Sequence, residues 1–394
     1  MVIAYIDRSN LSVAITLPEF RSHFQIADQE RGSLLAAFFW SYALLQIPAG
    51  WIIDRFGVKK PFAIGFLVWS ATSACTAFAT SLQQLYFLRI LLGVAEAVAP
   101  TASMRWIRFN YPDQQRGFAT GIWMLGTKIG PAVGPPVAAA LTAAFGWRQM
   151  FFFLGLGLLV WIIPWLRYGS DTSLPARDEA VDSSEPPFSK VLFSPTVAGV
   201  FIGTFCYMYF VYFCVTWLPS YLVEQRNLSL ASMGFYSFFA FGGMAAATVA
   251  GGWTADRMIK RGADSIRVRK LFTMAGLLIA STEVIGALTD STSVALFAAV
   301  FSLTGLGLAG ANKWALTQSA IPPASVGRVL GIQNCAANVA GIAAPLFTGW
   351  LKHATGSYSA PLFAVWAFLL IGCAAFWVLV RPLDGCAPQK LLAE

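Results

Sequence analysis

Charge is scarce in this sequence: 12% of its 394 residues are Asp, Glu, Lys or Arg, about half the share of a soluble domain. Histidine is scarcer still, with His23 and His353 alone, both in predicted loops. That leaves no metal site and no histidine-based catalysis. The six cysteines (Cys75, Cys206, Cys214, Cys335, Cys373 and Cys386) form no C-x-x-C and no metal-ligand spacing. Most fall inside apolar segments and read as small apolar packers. No Ser/His/Asp, Cys/His or metal constellation is found, so neither enzymatic chemistry nor a cofactor is expected. Ten-residue segments of alternating polarity are missing too, which excludes a transmembrane barrel of strands. The formal net charge is +8, but Lys and Arg are dispersed in short loops. Membrane topology explains them better than nucleic acid does, and no nucleic-acid partner is expected.

Apolar length, by contrast, is abundant, with 57% hydrophobic residues. Twelve apolar spans follow one another, roughly at 1–17, 32–53, 61–80, 84–107, 117–142, 147–168, 195–223, 230–256, 268–289, 293–319, 327–350 and 358–381. A helix needs roughly 20 such residues to cross a bilayer, and only helices bond every backbone group within their own segment. The expected fold is therefore all-α and polytopic: twelve transmembrane helices in two pseudo-symmetric six-helix bundles. Only six residues precede Asp7, and polar residues begin at Pro18. The first helix thus reads as N-terminally truncated. It lacks the basic start and small-residue cleavage site of a signal peptide.

The longest polar break, 169–194, is acidic, rich in Ser and Pro, and cannot bury a core. It divides the chain into an N-terminal bundle (1–168), a cytoplasmic linker (169–194), a C-terminal bundle (195–383) and a cytoplasmic tail (384–394). With both termini in the cytoplasm, the inner loops and tail hold most of the 27 Lys and Arg residues, among them Lys59, Lys60, Arg267, Arg269 and Lys270. This asymmetry predicts a multi-pass protein of the cell (cytoplasmic or inner) membrane. Lipid surrounds it, and it is expected to work as a monomer.

Four cations, Arg8, Arg89, Lys128 and Lys313, lie inside spans. The stretch 85–106 carries both Arg89 and Glu96. A charge at the bilayer centre costs about 2.5–3.5 kcal/mol on insertion scales, so two in one span point to a use or a partner. Seven residues apart, they fall within about 20° of one another and roughly 10 Å apart along the helix axis. A second such pair, Asp7 and Arg8, sits in the first span. The four are expected to face each other across a substrate path, with structural ion pairing as the alternative. Arg offers a planar fork that matches a carboxylate, and a carboxyl flanked by Arg in a partly dry cavity can take up and release a proton. Lys128, beside Thr127, and Lys313, beside Trp314, suggest a second anion site, hence a dicarboxylate or a bulkier anion. The alternative is pairing with Glu283 in the ninth span. Tyr209, Tyr212, Trp217 and Tyr221 in the seventh span either line this cavity or pack.

The two halves also repeat a motif. The G-x-x-x-D-R-x-G-x-K-K loop at 50–60 resembles the loop between helices two and three of the major facilitator superfamily. Gly252-Trp253-Thr254-Ala255-Asp256-Arg257 is its copy in the second half. The resemblance implies that Gly50, Asp54, Arg55 and Gly57, with Asp256 and Arg257, latch the cytoplasmic side in one conformation. Within the superfamily, the anion:cation symporter group is similar over essentially the whole chain. It comprises sugar-acid/proton symporters and sialic-acid and organic-anion carriers. Tyr5-Ile6-Asp7-Arg8-Ser9-Asn10, Phe38-Phe39-Trp40-Ser41-Tyr42 through Gln46, Arg89-x6-Glu96, Asn312-Lys313-Trp314 and Gly331-Ile332-Gln333-Asn334 through Asn338 carry that likeness. It implies that Asp7 and Glu96 are protonation sites, that Arg8 binds the substrate carboxylate with Arg89 partnering Glu96, and that Tyr5 and Tyr42 contact substrate hydroxyls. Thr127, Lys128, Lys313, Trp314, Asn334 and Asn338 complete the candidate binding set.

The function implied is proton-coupled symport of an organic anion by alternating access, most of all uptake of a sugar acid such as a hexuronate, aldonate or aldarate. The fifth span cuts the other way. Its Gly117-x8-Gly126-x3-Gly130-Pro131-x2-Gly134-Pro135 run resembles the glycine pattern of proton antiporters, with Pro135 where a final Gly belongs. An antiporter exporting a drug-like or metabolite substrate therefore stays open, although four intramembrane cations would repel a cationic drug.

Overall fold

The computed structural model describes residues 1–110, 113–169 and 187–383. Among them every regular element is a helix. The spanning helices are α1 (Val2–Ala14), α2 (Asp28–Phe56), α3 (Lys59–Phe78), α4 (Leu82–Ile107), α5 (Asp113–Phe145) and α6 (Trp147–Tyr168) in the first half. The second half has α7 (Pro195–Thr216), α8 (Leu230–Lys260), α9 (Ser265–Leu288), α10 (Thr292–Ala320), α11 (Pro323–Thr355) and α12 (Ser359–Val378). Among the described residues, nine of these are long and apolar enough to cross a membrane by length and composition alone. The expected linker falls mostly on 170–186 and the expected tail on 384–394, both outside the described residues.

Local chemistry sets the helix ends. The Ser81, Ser194, Ser229 and Ser291 hydroxyls and the Asp264 carboxylate accept from backbone N–H groups three residues on, so these positions act as N-caps. Gly57 (φ +79°) and Gly356 (φ +65°) take positive φ just past α2 and α11, a conformation that glycine adopts without strain. Large apolar side chains such as Phe78, Phe145, Ile163, Phe297 and Trp377 are more than half exposed. A soluble protein does not tolerate so much apolar surface; here it forms the lipid-facing belt.

The halves meet along α2–α11, α5–α8 and, more lightly, α1–α7. Small residues permit the tightest of these crossings. A Cβ at Gly32 of α2 would lie 3.2 Å from the Gly349 Cα of α11, and closer still to the Pro345 carbonyl. The α5 glycines serve the same purpose against α1. A Cβ at Gly130 would lie 2.7 Å from the Val2 carbonyl oxygen, and Gly126 and Gly134 face Val2 and Ile6. Packing of α1 on α5 thus accounts for Gly126, Gly130 and Gly134 of the antiporter-like run, while the surroundings of Gly117 lie outside the described residues.

Candidate functional site

Asp7 and Arg8 on α1 and Arg89 and Glu96 on α4 are buried together, between 0% and 6% exposed. They form one cluster inside the first half, with α1 and α4 side chains in direct contact. Their pairing differs from the expected one. Arg8 Nε donates to Glu96 Oε2 at 2.8 Å, whereas Arg89 Nη2 donates to Asn10 Oδ1 at 3.2 Å. The reason lies in helix geometry: seven residues place Arg89 and Glu96 about 10 Å apart along their axis, too far for a bond, so each reaches across to α1. Asp7 Oδ1 accepts from Ser73 Oγ of α3 at 2.8 Å. The other oxygens, Asp7 Oδ2 and Glu96 Oε1, are shielded and have no hydrogen-bond partner among the described residues. Each acid therefore keeps one oxygen open to a proton.

The Arg8 guanidinium is caged by rings. It lies 4.6 Å from the Tyr5 centroid, 4.7 Å from Phe38 and 4.5 Å from Tyr42. Phe38 and Tyr42, one turn apart on α2, stack on each other. Among the described residues Arg8 donates through Nε, to Glu96, and its side chain is 4% exposed. Tyr212 of α7 packs on Phe39 at 4.6 Å and brings the second half to this cage.

A second cationic group joins the two halves. Lys128 of α5 and Lys313 of α10 both approach Tyr207 of α7, with Nζ to centroid distances of 6.0 and 4.7 Å. Lys313 also sits 4.1 Å from the Trp314 ring. Pairing with Glu283 does not occur: that carboxylate accepts from Ser302 at 2.6 Å instead. Thr127 turns its hydroxyl back to the Met124 carbonyl at 2.7 Å. Asn334 and Asn338 of α11 donate to Gln46 of α2 at 3.1 and 3.4 Å, one turn beyond Tyr42.

One end of the molecule, the end poor in Lys and Arg, is bolted shut across the halves. Arg31 of α2 is fully buried and bonds Asp28 at 2.8 Å, Glu224 at 2.8 Å and Ser220 at 2.7 Å, beneath the Trp217 ring at 4.9 Å. Lys352 of α11 reaches Asp28 at 3.3 Å, Arg21 reaches Glu224 at 3.3 Å, and the Tyr358 hydroxyl donates to Glu224 at 3.0 Å. Partial burial works to raise the Asp28 carboxyl, but Arg31 and Lys352 outweigh it and hold it below the usual carboxylate range. This closure has no motif in the sequence. Trp217 belongs to it, Tyr221 accepts from Arg226, and Tyr209 packs on Phe368 at 4.4 Å. Of the aromatic residues anticipated on α7, Tyr212 alone faces the Arg8 cage.

At the other end, Arg55 lies over Trp51 and Phe56, and Arg257 over Trp253. Asp256 pairs with Arg269 of its own half at 2.8 Å. Gly50 has open space around it: an added Cβ would meet no more than a Thr101 methyl, at 3.9 Å. The Asp54 side chain lies outside the described residues.

The family model of the Major Facilitator Superfamily matches residues 1–345. The chain belongs to that superfamily. It is 30% identical to the hexuronate transporter of Bacillus subtilis (strain 168), covering 98% of this chain and 93% of that one. It is 29% identical to a D-galactonate transporter of Escherichia coli O6:H1, covering 96% and 93%. Among solved structures, a D-xylose-proton symporter superposes with a TM-score of 0.77 over 98% of this chain and 96% of that one. At 16% identity that likeness establishes the fold alone. The protein is thus a multi-pass membrane transporter of the major facilitator fold.

Proposed function

We propose that this transporter imports an organic anion, most of all a sugar acid (a hexuronate, aldonate or aldarate), together with protons. The observation that carries this reading is the buried Arg8–Glu96 pair inside the Tyr5, Phe38 and Tyr42 cage. Removing one partner of a buried ion pair costs about 3–5 kcal/mol because the other charge is left alone. A proton arriving on Glu96 does just that to Arg8. The substrate carboxylate then supplies the missing negative charge, through the bidentate fork. Loading of proton and anion is thereby linked: each makes the other favourable. Asp7, held by Ser73 with Arg89 near through Asn10, is the second proton carrier.

The Lys/Arg-rich end faces the cytoplasm by the positive-inside rule, with both termini there. The bolted end then faces outward, and the conformation is closed to the outside. Tyr5 and Tyr42 meet substrate hydroxyls, Asn334 and Asn338 follow the substrate path below, and the 50–60 loop with Asp256 and Arg257 latches the cytoplasmic side when the outside opens. The two halves rock about the site in a cell membrane, as a monomer, and no bond of the substrate is broken. The exporting antiporter loses its main support, since the α5 glycines serve packing against α1.

Glu96→Gln mimics the protonated acid permanently. In proteoliposomes it is expected to abolish proton-driven uptake and retain counterflow exchange of labelled sugar acid. Equal loss of both would reduce Glu96 to a structural role and remove the coupling scheme.

A further inference from the structure

We propose that Lys128 and Lys313 form the second pole of a two-headed anion site, so that the preferred cargo carries two acidic groups: a dicarboxylate, or a carboxylate joined to a sulfonate. This rests on the organic-anion reading above and narrows its substrate class.

Charge balance is the first support. Asp7, Arg8, Arg89 and Glu96 sum to zero. The two lysines stand outside that balance, and among the described residues no carboxylate acts on either. Lys128 stands near enough to Lys313 to repel it. A structural role would call for a counter-charge, and Glu283, the partner considered from the sequence, accepts from Ser302 instead.

Hydrogen bonding is the second. Lys313 is 1% exposed, and its Nζ has no hydrogen-bond partner among the described residues. An ammonium carries three donors. Contacts with the faces of Tyr207 and Trp314 return only part of what desolvating an ammonium costs. An anion seated on the lysines meets the remainder. The Tyr207 hydroxyl is likewise buried, with no hydrogen-bond partner among the described residues.

Placement is the third. The Tyr5 ring faces Arg8 at 4.6 Å and lies near enough to Tyr207 for the two to interact electrostatically. Tyr207 in turn faces both lysines. Two cationic poles are thus linked by two tyrosines, whose hydroxyls suit the middle of a polyhydroxy chain. The Arg8 pole belongs to the first half. The lysine pole draws Lys128 from the first half and Lys313 from the second. A cargo with two acidic ends would therefore tie the halves together, as occlusion requires.

The test is titration calorimetry on the purified full chain with pairs that share a skeleton and differ in one acidic group: D-glucarate with D-gluconate, succinate with butyrate, and sulfoacetate with acetate. In the pair that binds, the dianion is expected to bind at least tenfold more tightly, about 1.4 kcal/mol. Lys313→Met and Lys128→Met should each weaken the dianion far more than the monoanion and so erase that preference. Lys313→Arg and Lys128→Arg should keep it, which separates lost charge from misfolding. Equal affinity for the two members of the pair, or a Lys→Met variant that weakens both alike, would overturn the two-headed site and leave the organic-anion reading standing. No binding of any acid, with no uptake of D-galactonate or D-glucuronate, would remove both.

Discussion

Arg8 and Glu96 touch at 2.8 Å with side chains 4% and 0% exposed. Stability does not account for such a pair, because well-packed apolar residues of similar volume would serve as well or better. A switch does account for it: the pair is strong while intact and costly once either charge is neutralised. Arg8→Lys keeps the charge but loses the fork and the flat contact with three rings. It is expected to fold normally and to weaken galactonate binding at least tenfold by counterflow. Unchanged affinity would show that another cation holds the carboxylate. These two residues were legible because charge inside an apolar span is conspicuous. The exchange of partners with Arg89 was implicit in the seven-residue spacing, which forbids a direct Arg89–Glu96 bond. Tyr207 gave no signal and Phe38 entered only as part of a motif, without a role, since α7 and α2 carry aromatics on several faces and hydropathy does not say which one looks inward.

At the scale of helices, the ends of α2, α7, α11 and α12 build the closed end. Asp28, Arg31, Glu224 and Lys352 look like ordinary loop charges in the sequence, and tertiary closure alone brings them together. In α5 a local glycine run suggested a mechanism, and three of its glycines, Gly126, Gly130 and Gly134, pack against α1. Helix number and order were legible throughout, because each span must satisfy its own backbone. Glu224→Gln removes a carboxylate shared by Arg21, Arg31 and Tyr358. A loss of about 1.4 kcal/mol would raise the population open at this end tenfold. In a cysteine-free background, Leu35→Cys, one turn inward from Arg31 and 5% exposed, should then react several-fold faster with a membrane-impermeant thiol reagent. An unchanged rate would mean that packing alone holds the closure. Acid should act the same way. The Asp28 carboxyl is held low in the closed form, so its contribution to closure is fully present above about pH 4, the ordinary Asp range. It is lost as pH falls through the lowered value.

For the whole molecule, the fold positions a charge-balanced switch in one half and an unbalanced cationic pole between the halves. Rocking of one half on the other alternately exposes both, as expected for a duplicated transporter with its site near the midplane. The central claim is that protons drive anion entry. The most direct test is uptake of labelled D-galactonate, D-glucuronate and D-glucarate into proteoliposomes, with and without an inward proton gradient. Accumulation of at least one acid above its outside concentration, only when the gradient is present, is the expected result. No accumulation of any acid, together with proton-driven efflux of a lipophilic dye, would contradict it and establish export instead.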